Sequence, residues 1–364
     1  SPGPLREQGL GSLEGRHYSE LEEEATPEGV HVSEVCWGGG ESMADVAAAA
    51  GVSGQTVSRV ANGSPRVDPA TRARVEQAME QLGYRMHRAA RALRTGRTDT
   101  IGLIVSTLAS VGNFRMLQAL ADAAAARGLA LTVVTATGRE AVADGFARLR
   151  EQGVDGAVIL NEATALAQGL DVPEGLALVV VDAPPDDTHA ALPRFATVQT
   201  DHVAGARAAT RHLLSLGHET VHHLAGPASS FAAAERERGW RAELEAAGLP
   251  VPALVRGEWT AASGHAALAA LGDDVTALFC ANDQMALGAF RALADRGRRV
   301  PDDVAVVGFD DVADAADYRP PLTTVRQDFD ALGAAVIDSL VARIAGEAVA
   351  PVVLTPALVR RASA

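Results

Sequence analysis

Residues 42 to 63 restrict the possible folds of this chain more than any other stretch, because they contain the pattern of two short helices joined by a tight turn. Ser42, with Asp45 three residues later, predicts the start of a first helix. Gly51 can adopt the left-handed conformation that ends a helix. Ser53 then predicts the cap of a second helix. Two helices in this arrangement indicate a helix-turn-helix, whose second helix can enter a DNA major groove.

The apolar positions of this stretch recur at helical spacing. The predicted inward-facing residues are Val46, Ala49 and Ala50 in the first helix and Val57 and Val60 in the second. Gln55 and Arg59 lie one turn apart on the opposite face of the second helix. Gln can bond adenine with two hydrogen bonds, and Arg can bond guanine in the same way, so this face suits base recognition. The alternative is a small helical hairpin whose polar face is only solvated.

The stretch from Asp45 to Gly63 has the form D-V-A-x-x-A-G-V-S-x-x-T-V-S-R-V-x-N-G, which resembles the start of the lactose/galactose repressor (LacI/GalR) family. The similarity continues at residues 67–72, 82–84 and 90–94 and covers roughly residues 42–361. It implies a DNA-binding transcription factor, most often a repressor, that acts as a cytoplasmic homodimer on a near-palindromic operator. A small carbohydrate would control it, and neither a cofactor nor a metal is expected.

In such proteins a hinge helix follows the helix-turn-helix and wedges a leucine into the DNA minor groove, a position that Leu93 occupies here. Met86 departs from the proline that the family often has. The alternative for this basic segment is a solvated linker. The predicted DNA-contacting residues are Ser42, Ser53, Gly54, Gln55, Thr56, Ser58, Arg59, Asn62, His87, Ala90 and Leu93.

The charge of the chain is unevenly distributed. Residues 43–98 contain nine Arg and four acidic residues, a net charge of +5, so the rest of the chain carries −19 of the total of −14. A local basic face attracts phosphates, and an acidic body limits non-specific adhesion. This division favours a small nucleic-acid-binding module joined to an acidic regulatory body.

After residue 100, apolar runs alternate with helical stretches. The predicted strands are Ile101–Ser106, Leu129–Thr135, Gly156–Leu160, Leu176–Val181, Val221–Ala225, Val275–Cys280 and Val304–Gly308. The predicted helices are Pro69–Leu82 before them and Met116–Arg127, Ala204–Leu216, Glu235–Ala247 and Met285–Arg296 between them. Buried strands separated by helices indicate parallel α/β sheets, and their number indicates two such units.

The resemblance implies an N-terminal all-α domain with a hinge helix, followed by a two-lobed, periplasmic-binding-protein-like (type I) α/β core. We expect residues 1–40 to form a disordered leader or to precede the natural start, residues 41–84 the helix-turn-helix domain and residues 85–98 the hinge helix and linker. The core would comprise residues 99–364. Its N-lobe would contain about 99–198 and 329–354, and its C-lobe about 199–328 and 355–361.

Polar residues follow the carboxyl ends of the predicted strands, where open α/β sheets bind ligands. They are Ser106, Asn161, Asp182, Asn282 and Asp310. Asn282 could instead only cap a helix, and Asp310 could belong to a turn. Several such residues at one edge nevertheless predict a polar cleft.

The family resemblance adds four residues to this predicted effector site. Arg236 matches the residue that grips effector hydroxyls, Trp259 matches the aromatic platform for a sugar ring, and Gln327 and Phe329 match positions beside the pocket. A lone Trp is otherwise more often plain core. Thr200 and Ala232 depart from the lactose-responsive member, so a galactoside is the first prediction and another saccharide the alternative.

Other functions find little support. His218 to His222 spells H-E-x-x-H, but Gly217 and the following apolar run predict a turn and strand, which would separate the two His too far to share a zinc ion.

Cys36 and Cys280 provide no disulfide framework, no apolar run of 18 residues exists, and no export signal is evident. An enzyme is therefore not expected. The alternatives are a sugar-responsive activator or a co-repressor-type regulator of the same family, and, in another class, a sugar-binding transport protein without a regulatory role.

Overall fold

The computed structural model describes residues 42–84, 96–167, 175–183 and 195–364. The chain divides into two compact units, residues 1–98 and 99–364. The predicted leader, the hinge residues His87, Ala90 and Leu93, and Met86 all lie outside the described residues.

The described residues 42–84 of the first unit form three helices, α1 (Met43–Ala50), α2 (Gly54–Ala61) and α3 (Pro69–Gln81). Ser42 and Asp45 form a capping box at the start of α1, and Gly51 ends that helix with a φ of 64°. Ser53 caps α2 through the amide of Thr56. These local signals orient the helices, and a small apolar core holds them together.

That core contains the buried residues Val46, Ala47, Ala50, Val57, Val60, Val75 and Ala78. One predicted core position is wrong: Ala49 is exposed, and Ala47 is buried in its place. The reason is geometric, because α1 packs against both α2 and α3, which rotates its buried stripe toward Ala47.

The second unit alternates strands and helices. Its strands are β1 (Thr100–Val105), β2 (Ala130–Thr135), β3 (Gly156–Leu160), β4 (Ala177–Val181), β5 (Ala196–Thr200), β6 (His222–Ala225), β7 (Val255–Arg256), β8 (Ala277–Cys280), β9 (Ala305–Asp310), β10 (Thr323–Arg326), β11 (Val352–Leu354) and β12 (Ala357–Val359). Its α-helices are α4 (Val111–Ala126), α5 (Arg139–Glu151), α6 (Glu162–Ala167), α7 (His202–Ser215), α8 (Phe231–Ala246), α9 (Ala261–Ala267), α10 (Asp283–Asp295) and α11 (Phe329–Ile344).

The strands form two six-stranded sheets, with the orders β11-β5-β4-β3-β1-β2 and β12-β10-β9-β8-β6-β7. We call the part built on the first sheet the N-lobe and the part built on the second sheet the C-lobe. Every strand pair is parallel except β10 with β12. Two residues join β11 in the N-lobe sheet to β12 in the C-lobe sheet, where β12 runs antiparallel to β10.

Burial explains why the central strands form. All residues of β3 and β4 are buried, and helices cover both faces of the sheet. Such strands appear in a sequence as unbroken apolar runs. In the C-lobe, Trp240, Phe279 and Phe309 are fully buried in one core cluster, and the Trp240 indole N–H donates to the carbonyl of Val221.

The predicted two-lobed α/β architecture is confirmed, with strand ends that differ by one or two residues. Five strands were not predicted, namely β5, β7, β10, β11 and β12. They are short or lie at or near sheet edges, so they lack a long apolar run. β5 extends from Ala196 to Thr200 and belongs wholly to the N-lobe sheet. No helix among the described residues is long and apolar enough to cross a membrane.

Candidate functional site

Helix α2 presents polar side chains of the kind that read DNA. Gln55 and Arg59 are exposed, whereas Thr56 and Ser58 are half-buried. Val57 and Val60 anchor the opposite side of the helix in the core. The backbone therefore holds Gln55 and Arg59 outward from a fixed support, as base recognition requires.

Several other residues predicted to contact DNA have local structural roles. Ser42 and Ser53 are N-caps, and Gly54 is the first residue of α2. Asn62 ends α2, and its side-chain amide donates to the Ser58 carbonyl over 2.6 Å. These bonds fix the ends of the helices, so the contribution of these four residues to DNA binding stays a prediction.

A polar pocket lies in the second unit, where the carboxyl ends of strands from both lobes meet. It is lined by Ser110, Gly112, Asn113, Met116, Asn161, Glu162, Val181, Asp182, Ser230, Ala232, Arg236, Trp259, Asn282, Asp310, Gln327, Phe329 and Leu332. Eight of the nine predicted effector-binding residues are in this set. The ninth, Ser106, is not in this set, and its Oγ donates to Glu162 Oε2 over 3.4 Å.

Backbone strain is concentrated at this pocket. Asn161, Asp182, Trp259 and Asp310 all have positive φ angles, of 47°, 53°, 61° and 116°. Such angles are uncommon for residues other than Gly and are unfavourable for a bulky Trp. Strained residues persist when the surrounding structure holds them, and they are frequent at ligand sites.

Arg236 is the only cation among the described residues that line the pocket. Its Nε lies 3.3 Å from His202 Nδ1, its Nη1 donates to the Ala281 carbonyl, and its Nη2 lies 3.6 Å from Asp310 Oδ1. Its guanidinium also stacks over the Phe309 ring, 3.8 Å from the ring centre. Burial lowers the pKa of Arg236, and nearby carboxylates, first that of Asp310, offset part of this effect.

Asp310 accepts a hydrogen bond of 2.6 Å from Gln327 Nε2. Burial raises the pKa of Asp310, whereas the charge of Arg236 and the bond from Gln327 act in the opposite direction. The residue is the buried end of β9 and not merely part of an exposed turn. It can therefore accept hydrogen bonds from a ligand while remaining fixed by Gln327.

Trp259 is held from several sides. Asn282 Nδ2 donates to its carbonyl over 3.1 Å, while Asn282 Oδ1 also caps α10. The indole N–H donates to Glu162 Oε1 over 3.0 Å, which links the C-lobe to the N-lobe. Gly226 lies directly against the ring, since a Cβ there would be 2.3 Å from Cη2 of Trp259. The indole is thus a preoriented aromatic surface in the pocket wall.

The sequence did not single out Glu162, Asn113, His202 or Gly226. Asn161 Nδ2 donates to Asn113 Oδ1, and Asn113 Nδ2 donates to the Thr107 carbonyl over 2.9 Å. Glu162 directly follows the predicted Asn161, so the strand-end rule extended by one residue would have found it. The other three depend on contacts between segments distant in sequence.

The H-E-x-x-H segment is not helical. Its first residues lie in the turn after α7, and His222 begins β6. His218 Nδ1 lies 3.1 Å from the Thr276 hydroxyl. Across the described ranges, no three His, Cys, Asp or Glu residues are grouped in a way that could hold a metal ion.

A helix-turn-helix and a two-lobed core with a polar pocket at its strand ends, carried by one chain, define a ligand-responsive DNA-binding regulator. Comparison with known families supports this class. Residues 42–86 match the model of the lacI family of bacterial regulatory proteins, and residues 210–364 match the periplasmic binding protein-like domain. The chain belongs to the LacI family.

Individual relatives agree with this assignment. The transcriptional regulator CelR of Thermobifida fusca is 40% identical over 326 residues, which cover 84% of this chain and 93% of CelR. The lac repressor dimer bound to operator and the anti-inducer ONPF superposes with a TM-score of 0.78 at 35% identity, covering 89% of this chain and 99% of that one. A CelR–cellobiose complex gives a TM-score of 0.67 at 36% identity, covering 89% and 100%. Both relatives are transcriptional regulators and not enzymes.

Proposed function

We propose that this protein is a cytoplasmic transcriptional repressor that binds a near-palindromic operator as a homodimer and releases it when a small saccharide fills the pocket. Membership of the LacI family supports the regulatory role. The dimer and the operator are proposed because the lac repressor, a structural relative, forms such a complex. The saccharide is proposed because of the side chains that line the pocket.

The observation that supports a saccharide most directly is the indole of Trp259 in a wall otherwise rich in hydrogen-bonding groups. The apolar face of a sugar ring packs on indole, and its hydroxyls need both acceptors and donors around the rim. Asp182 and Asp310 supply acceptors, and Arg236 supplies donors. A galactoside remains the first candidate, and cellobiose is the second because the related CelR binds it.

DNA recognition is assigned to α2. One Gln55 and one Arg59 from each protomer would contact base edges in a major-groove half-site, and two protomers would read the two halves of the operator. Leu93, which lies outside the described residues, is proposed to insert at the centre of the site.

The position of the pocket explains how a ligand could control DNA binding. Its lining residues come from both lobes, so a bound saccharide contacts both lobes and favours one lobe separation over another. A ligand shifts a conformational equilibrium only by its difference in affinity for the two states, and the coupling is reciprocal. Operator DNA should therefore weaken saccharide binding by the same factor as saccharide weakens operator binding.

The test begins with selection of bound sequences from random duplex DNA by the purified full-length protein. The selected duplex is then titrated by fluorescence anisotropy with and without a galactoside or cellobiose. We expect a near-palindromic consensus and release by one of the sugars. No preference for any palindrome over random DNA would refute the operator proposal, and operator binding unaffected by any saccharide would refute the effector proposal. A promoter–reporter assay then separates repression from activation.

A further inference from the structure

Glu162 stands out among the charged groups that line the pocket. It is the first residue of α6, directly after β3 and the strained Asn161. Its two carboxylate oxygens accept from the Trp259 indole N–H and from the Ser106 hydroxyl. Within the described part of the chain it has no ion pair, and a carboxylate can accept more hydrogen bonds than these two.

The hydrogen bond from the Trp259 indole fixes the position of the Glu162 carboxylate. Because the indole N–H lies on the edge of the ring, the carboxylate is fixed beside the rim of the aromatic surface. A sugar ring stacked on that surface would bring its edge hydroxyls toward the carboxylate. Glu162 can then accept from hydroxyl donors without moving.

The pocket as a whole is acidic. Its described charged lining residues are Glu162, Asp182, Asp310 and Arg236, three carboxylates to one guanidinium. Even a proton on Asp310 would leave Glu162 and Asp182 outnumbering Arg236. Arg236 Nε and Nη1 donate to His202 and to the Ala281 carbonyl, and its Nη2 lies 3.6 Å from Asp310, whose carboxylate offsets the positive charge that an anionic ligand would meet.

We infer that Glu162 determines effector specificity, accepting hydroxyl hydrogen bonds from an uncharged saccharide and rejecting acidic sugars such as uronates, aldonates and sugar phosphates. This inference rests on the proposed saccharide control. Two effects of the Glu162 carboxylate would produce this specificity. A charged acceptor strengthens the hydrogen bonds from sugar hydroxyls, and its negative charge repels an anionic sugar in a site with limited solvent screening.

The test uses calorimetric titration of the full-length protein with matched neutral and acidic sugars, namely galactose with galacturonic acid and cellobiose with cellobionic acid. Wild type should bind the neutral member of at least one pair at least about tenfold more tightly than its acid. Glu162→Gln should weaken binding of the neutral sugar by about tenfold, the usual effect of losing one charged hydrogen bond, and should reduce discrimination against the acid. Glu151→Gln, an exposed change in the same lobe, should alter neither.

A second variant separates charge from contact. Glu162→Asp keeps the negative charge on a shorter side chain. It should therefore bind the neutral sugar more weakly than wild type does while still rejecting the acidic sugar. The inference is overturned if wild type prefers the acidic sugars, or if Glu162→Gln binds both members of the pair as wild type does while retaining its thermal unfolding temperature. If no saccharide of either charge binds, the proposed effector fails as well, and the two failures are thereby distinguished.

Discussion

His202 Nε2 lies 3.0 Å from Asp182 Oδ1, and this buried contact joins the start of α7 in the C-lobe to the end of β4 in the N-lobe. Its distance is that of an ion pair, although its angles are not those of a hydrogen bond. The other ring nitrogen faces the Nε of Arg236. Since a guanidinium can only donate, Nδ1 must carry the lone pair, and the ring hydrogen of a neutral His202 lies on the side of Asp182.

His202→Ala should therefore weaken saccharide binding. The substitution removes the ring nitrogen that accepts from Arg236 and the one that lies 3.0 Å from Asp182 Oδ1, so we expect a loss of about 1.5–3 kcal/mol in effector affinity. His202→Gln can still accept from Arg236 and donate to Asp182, and it should restore part of the loss. Operator affinity without ligand should stay within a few-fold of wild type. Equal behaviour of the Ala and Gln variants in calorimetry would contradict this positioning role.

Gly226→Ala tests whether the indole must occupy its present position. The new methyl group would overlap the Trp259 ring, so the ring must shift from its present position. We expect the saccharide to lose its effect on operator binding in an anisotropy assay, while operator binding itself persists. Gly145→Ala is the matched control, because the nearest atom to a Cβ there is at 3.4 Å, an ordinary contact. An unchanged sugar response in Gly226→Ala would remove the indole from the proposed site.

Arg59→Ala tests base recognition by α2. Loss of a contact to one base should cost about 1–3 kcal/mol of operator affinity and relax the preference at one position of each half-site. Arg74→Ala removes the same charge from the exposed face of α3 and is the control. The Arg74→Ala variant should bind all duplexes slightly more weakly than wild type does, by the same factor for each. The readout is affinity for the selected operator and its single-base variants, and identical base preferences in wild type and Arg59→Ala would show that Arg59 does not read sequence.

The main features of the fold could be predicted because they depend on local chemistry. Ser42, Gly51 and Ser53 specify helix ends through their own side chains or backbone freedom, and the fully buried β3 and β4 appear as continuous apolar runs. The edge strands β7 and β12 could not be predicted, since they have two and three residues and form only through pairing with distant segments.

Some residues of the candidate site could likewise be predicted from the sequence, and others could not. Polar residues at strand ends, such as Asn161 and Asp310, are predictable because parallel topology brings all carboxyl ends to one edge. Gly226 and His202 are not predictable in this way. Gly226 matters only because an indole distant in sequence lies on it, and His202 matters only because Asp182 and Arg236 converge on its two nitrogens.

His223 provides a prediction about pH and stability. It is fully buried in the C-lobe, its ring stacks on Phe279 with centres 4.7 Å apart, and Nδ1 donates to the Phe279 carbonyl over 2.9 Å. Among the described residues the buried Nε2 has no hydrogen-bond partner, so none of them would accept from a proton there. Burial lowers the pKa of His223 to about 4, and the bond to Phe279 offsets only part of this effect.

The unfolded chain, in which His titrates near its ordinary pKa of 6.5, therefore binds a proton between pH 6.5 and 4 that the folded chain does not. Folding stability should fall as the pH decreases through this range, by about 2 kcal/mol between pH 7.5 and pH 5 from this group. His223→Phe should lose that contribution while keeping the ring stack, and exposed His265→Gln should retain it. Denaturant unfolding at both pH values measures the effect. Burial raises the pKa values of Asp283 and Asp310, so these groups oppose the effect of His223 on the pH dependence of stability. Their contribution cancels when the change in unfolding free energy of each variant is subtracted from that of wild type. An identical pH dependence in wild type and His223→Phe would mean that His223 does not resist protonation in the folded protein.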